Sequence, residues 1–189
     1  MKHTNAKLSF KIICLSATML ISSFSTALAA SSSGAKGANL SSLNISQSQV
    51  VYWSGSALMK ILSMNYMSLR EDFSSSSQLF TVPAWAAFSK SLKTSGIIDK
   101  LQQDKLGMRA IPTDVAMIKS QGNVGGNYSW TVNIPVMIVM ANKSERITHK
   151  WSVDLVIERS PTYIGMNGLA IKEFIAKPID QASDTQKKK

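Results

Sequence analysis

The chain has 189 residues, is 44% hydrophobic, and carries a formal charge of +10. That length suits one domain with short tails, and the apolar fraction is enough for a core. Lys2, Lys7, Lys11, Lys187, Lys188 and Lys189 lie at the two ends, and removing those six takes +10 down to +4 for everything between. The remaining Lys and Arg are scattered rather than clustered with aromatics, which argues against a nucleic-acid partner.

The first residues, MKHTNAKLSFK, are basic, IICLSATMLI is apolar, and SSFSTALAA ends in Ala27-Leu28-Ala29. Those are the three regions of a secretory signal peptide, so residues 1–29 are expected to direct export and be cleaved after Ala29. The rival reading is a signal anchor. Ile12 to Ala29 is 18 residues, about 27 Å of helix, short for a hydrocarbon core of ~30 Å and broken by Ser and Thr. The expected location is the periplasm, with inner-membrane attachment through the N-terminus if the signal is retained. The only cysteine, Cys14, sits in the apolar run. A mature chain has no disulfide and no thiol nucleophile.

Residues 30–45, small and polar, read as a flexible linker. A helix is expected from Ser46 or Ser48, with one of them as its cap, through Leu69. Val51, Gly55, Leu58, Leu62, Tyr66 and Leu69 form one stripe; Trp53, Ala57, Ile61 and Met64 form a second. Met59, Met64 and Met67 crowd this segment and are a candidate interaction face. Ser74 to Ser77 reads as a polar break. Thr81 is the expected N-cap of the next helix, with Pro83 in its first turn; Trp85, Phe88 and Leu92 share a face. Gly96 interrupts, and Ile97 to Gln103 reads as a third, short helix.

After Leu106 the period changes from 3.6 to 2. Met108 to Lys119 reads as a strand and Gln121 to Asn127 as a connection. Tyr128, Trp130, Val132, Ile134, Val136, Ile138 and Met140 share one face of a long strand. Asn142 to Glu145 is the turn, and Ile147, His149, Trp151, Val153, Leu155 and Ile157 return on one apolar face. Ala170 to Ala176 is the last strand, and residues 178–189 form a polar, basic tail. The order implies an α+β domain over residues 46–177, its N-terminal helices packed on one face of a curved four-stranded antiparallel sheet.

No catalytic, cofactor-binding or metal site is expected. A mature chain holds one histidine, His149, too few for a zinc site of His and Cys. Asp154, the nearest downstream acid, falls on the opposite strand face, so a Ser-His-Asp triad is disfavoured. Asp154 and Glu158 read as solvated charges rather than an acid–base pair. Gly122, Gly125 and Gly126 lack the Lys-Ser or Lys-Thr of a phosphate loop.

Several segments together resemble the periplasmic domain of the DotI/IcmL family of type IVB secretion systems, with the related TraM proteins of conjugative plasmids. They are VVYWSGSALMKILSMNYMSLRED (Val51 to Asp72), LFTVPAWAAFSKSLKTSGIIDKLQQDKL (Leu79 to Leu106), YSWTVNIPVMIVM (Tyr128 to Met140), the strand from Trp151 to Arg159, and Gly168 to Phe174. Ala84 stands where the family has Gly. The resemblance implies an NTF2-like or cystatin-like cone. It also implies a non-enzymatic role through contacts with other secretion-system proteins, with homo-oligomers. Family members carry a cytoplasmic segment and a membrane helix before this domain, whereas little precedes the apolar run here; a soluble paralogue is therefore an open alternative. A further alternative is a cone with an apolar pocket between helix and sheet, binding a small ligand or acting as an enzyme. Tyr66, Tyr128, Trp130 and His149 are its candidate lining.

Overall fold

The computed structural model describes residues 40, 45–160 and 168–179. The expected signal peptide, most of the linker and the basic tail beyond residue 179 lie outside the described residues.

Helix α1, Gln47–Ile61, starts at a capping box. The Ser46 hydroxyl accepts the Gln49 N–H, and Gln49 Oε1 accepts the Ser46 N–H, which satisfies two donors that a helix start leaves open. Its buried face is Val50, Trp53, Ser54, Ala57, Leu58 and Ile61. One expected stripe, with Trp53, Ala57 and Ile61, is therefore inward. Of the other, Leu58 and Leu62 are buried as expected, while Val50 and Ser54 take the inward places expected of Val51 and Gly55.

The helix does not run on to Leu69. Met64–Asn65 form a short strand, β1, because Met64 pairs with Met108 and Asn65 with Gly107. Helix α2, Leu69–Ser77, then contains the whole serine run. Serines are poor helix formers mainly because their hydroxyls compete for the backbone. Here Ser75 and Ser77 donate to the carbonyls of Asp72 and Ser74, three residues back, without ending the helix.

Helix α3, Val82–Thr94, is capped by Thr81, whose hydroxyl accepts the Ala84 N–H, with a proline in its first turn. Gly96, at φ +72°, turns the chain into α4, Ile97–Gln103. In α4, hydrogen bonding to Asp104 raises the Lys100 pKa.

The sheet has six strands rather than the expected four. Besides β1 they are β2 Gly107–Pro112, β3 Met117–Val124, β4 Asn127–Ala141, β5 Arg146–Arg159 and β6 Leu169–Pro178. The order is β1-β2-β4-β5-β6, and β3 also pairs with β4. The expected strand from Met108 to Lys119 is really two, lying end to end along one edge of β4. Strand β2 pairs with Val136 to Ala141, and β3 pairs with Asn127 to Asn133. Pro112 ends the first of them. Pro135, which has no N–H to give a ladder, falls in the gap between the two partners. Gln121 to Val124, expected in a connection, belong to β3, and the turn is Gly125-Gly126, both at positive φ.

Strands β4 and β5 pair from Ser129–Glu158 to Ala141–Arg146 around the expected Asn142 turn. The Asn142 side chain closes it by accepting the N–H groups of Ser144 and Glu145. Trp130, Val132, Ile134, Val136 and Met140 of β4 are buried on one face, opposite Trp151, Val153, Leu155 and Ile157 of β5. The helices cover this face. Register shifts at Lys119 and at Lys172 mark bulges, which increase local twist and help curl the sheet.

An aromatic cluster fastens the helices to the sheet. Phe80 is fully buried, with its ring 5.5 Å from Trp85 and 5.0 Å from Phe88; Phe88 lies 4.8 Å from Phe174 on β6. The backbone joins at the same place. Thr81 N–H donates to Ile171 O, and Ile171 N–H donates to Leu79 O.

Truncating Phe80 to Ala is expected to cost about 3–5 kcal/mol, as for other fully buried aromatics. Urea denaturation followed by circular dichroism measures it. A loss below ~1 kcal/mol would mean that this cluster does not hold helix to sheet.

Candidate functional site

The three methionines of the candidate interaction face do not share one helix. Met59 lies on α1 and is 41% exposed, and Met67 follows β1 and is 76% exposed. Met64 is 2% exposed because β1 turns it inward against Met108. What remains outside is Met59 and Met67, with exposed Tyr52 one heptad before Met59 on α1. Strand β3 adds exposed Met117 and Val124, with Val115 just ahead of it, and its outer edge has no strand partner among the described residues. An open edge with exposed apolar side chains is a site where another chain can add.

The register keeps the four candidate pocket residues apart. Trp130 is 1% exposed, and its ring packs 4.9 Å from that of Tyr128. His149 pairs across from Ile138, ten residues along β4 from Tyr128, on the order of 30 Å at the rise of a strand. The Tyr66 N–H donates to Leu106 O beside β1. These residues therefore cannot line one small cavity. Trp130 Nε1 and the Nε and Nη1 of buried Arg159 find no partner among the described residues. Asp154 lies away from the core face: it accepts Lys119 Nζ at 2.7 Å and Asn133 Nδ2 at 2.6 Å. Glu158 holds Lys172 at 3.1 Å on that same face. Among the described residues no three His, Cys, Asp or Glu side chains gather as a metal site, and no helix is long and apolar enough to cross a membrane.

The sequence reading missed a cleft of about 410 Å³ at the corner where β1 meets the sheet. Four strands build it. Asn65 pairs with Gly107, Gly107 with Ala141, and Ala141 with Arg146, so these four form one row across β1, β2, β4 and β5. Gly107 and Ala141 put almost no side chain above the middle of that row, which leaves the depression. Arg109 and Arg146 line it, as does Asp72 of α2. Asp72 Oδ2 already accepts the Asn65 N–H at 2.8 Å and the Ser68 hydroxyl at 3.0 Å. No sequence motif announces this site, because its residues come together only through strand register.

The family model for a type-IVb secretion system inner-membrane complex component, named for DotI and IcmL, matches residues 33–178. Among solved structures, the periplasmic domain of DotI is 28% identical, with a TM-score of 0.69 over 73% of this chain and 99% of that one. An IcmL-like type IV secretion system protein from Legionella pneumophila is 18% identical, with a TM-score of 0.66 over 72% and 95%. A periplasmic fragment of TraM is 19% identical, with a TM-score of 0.65 over 71% and 98%. The last two show the shared fold, a mixed helix-and-strand domain with a curled antiparallel sheet. No curated protein matches the chain by sequence. Helices and sheet of this order, together with a family match that runs from residue 33 through the end of β6, make the chain a member of the DotI/IcmL family of type IVB secretion system components.

Proposed function

We propose that the chain is a non-enzymatic periplasmic component, or soluble paralogue, of a type IVB secretion or conjugation apparatus, acting through protein contacts and self-association. The family match over residues 33–178 carries this reading. The exposed apolar residues Tyr52, Met59 and Met67, and the open edge of β3, supply surface for such contacts. Exposed large apolar side chains are candidates for such contacts. The cone of the NTF2-like or cystatin-like type belongs to the same reading, supported by helices lying on one face of a curled sheet. Export rests on the basic start, the apolar run and the Ala27-Leu28-Ala29 site.

Purification of a C-terminally tagged copy from its native cells in mild detergent tests the placement. A chain beginning at Ala30 in the soluble periplasmic fraction makes it a free protein; an intact N-terminus in a large membrane complex makes it an anchored subunit. In either case Met59→Asp and Met67→Asp are expected to leave the thermal midpoint nearly unchanged, since exposed substitutions usually fall within ~0.5 kcal/mol. Both are expected to shift the native protein to a smaller species on size-exclusion chromatography. Met64→Asp, which buries a charge, is expected to unfold the domain. Wild-type assembly by both exposed-site variants would overturn the contact-surface reading.

A further inference from the structure

We propose that the cleft at β1 binds the carboxylate side chains of an acidic segment of a protein partner, with Arg109 and Arg146 as its receptors. Charge pairing on the sheet face it opens onto leaves Arg109, Arg146, Lys150 and Lys177 without an ion-pair partner among the described residues, and of these four only the two arginines line the cleft. Lys119 and Lys172 each have a carboxylate there, Asp154 and Glu158. Arg109 and Arg146 form no ion pair among the described residues, although Asp72 lines the same cleft. Counting all three, the cleft holds two positive charges and one negative.

The remaining polar groups favour an acceptor. Asn65 Oδ1 accepts the Met67 N–H at 3.0 Å, which fixes the amide and leaves Nδ2 as the group toward Gly107, 3.7 Å from where a Cβ would stand. Two guanidinium forks and an amide donor around a floor of Gly107 and Ala141 are a receptor for planar oxyanions.

The surroundings argue for a protein segment rather than a free anion. The rim is tied directly to the exposed methionines: the Ser63 hydroxyl donates to Met59 O, and Asn65 holds the Met67 backbone. A segment seated with its acids in the cleft meets apolar surface on the way out. Free anions meet only exposed arginines, which bind weakly in salt. The inference rests on the contact role proposed above, but it is tested separately from assembly.

The test is fluorescence polarisation of labelled hexaglutamate with the purified protein at low salt, with hexalysine as the control peptide. Wild type is expected to bind hexaglutamate and not hexalysine. Arg109→Gln and Arg146→Gln are each expected to weaken binding roughly tenfold, the scale of one lost charge-assisted hydrogen bond. Arg70→Gln, at an exposed position of α2 that does not line the cleft, makes the same charge change and is expected to leave binding within about twofold. Gly107→Leu, which fills the floor without altering charge, is expected to weaken binding as well. Equal losses from Arg70→Gln would reduce the effect to net charge and overturn the site. Glutarate binding as tightly as the peptide would make it a free-anion site and overturn the partner. Absence of hexaglutamate binding would overturn the proposal, while the assembly results on Met59 and Met67 would stand unaffected.

Discussion

Strand β4 is the constraint on which the rest of the molecule depends. Its 15 residues pair with β5 along one side and with β2 and β3 in turn along the other. A one-residue slip would move its whole apolar set to the wrong face. Pro135 makes the register self-consistent, because the only stretch lacking a ladder donor lies where the neighbouring chain breaks between Pro112 and Met117. The helices are then placed by what the sheet offers them. The aromatic cluster of Phe80, Trp85 and Phe88 seats α3 against Phe174, and the Leu79–Thr81 backbone bonds to Ile171 on the edge strand.

Local signals in the sequence were reliable wherever the structure uses them locally. Thr81 caps α3, Ile97–Gln103 is a helix, Asn142 closes the hairpin, and the alternation from Tyr128 to Ile157 assigns the buried face. The failures come from long-range pairing. Met64 and Asn65 continue a helical pattern from α1 but leave it because β2 offers a partner forty-odd residues later. The serine run looks like a break by propensity, yet the fold absorbs it into α2. Propensity is a weak prior that tertiary contacts override. Strand count failed for a related reason, since β2 and β3 read as one periodic stretch but are separated by a break over residues 113–116 that follows Pro112.

The candidate functional residues divide in the same way. The Met-rich segment was visible, but which methionines face solvent depended on β1 and was not. The aromatic residues expected around a pocket were visible as amphipathic groups. Their positions beside β1 and along β4 and β5 separate them, and a tyrosine or tryptophan serves a filled core equally well. Asp154 was legible as a residue of the polar face; its partners Lys119 and Asn133 come from two other strands and were not.

The cleft and the placement of exposed Met67 have a common structural origin. Ending α1 at Ile61 in favour of β1 creates the corner that holds Ser63, Asn65 and Met67 in place. It also sets Asn65 in the row with Gly107, Ala141 and Arg146. An uninterrupted helix would have produced neither the cleft nor the placement of Met67. Apolar contact is non-directional and contributes affinity, whereas fixed charges discriminate among partners and set register. A corner that presents both side by side is suited to recognising one orientation of one partner. The excess charge is then the more informative half, because an exposed methionine accepts many surfaces, whereas two arginines that outnumber the cleft's one carboxylate favour an anionic partner.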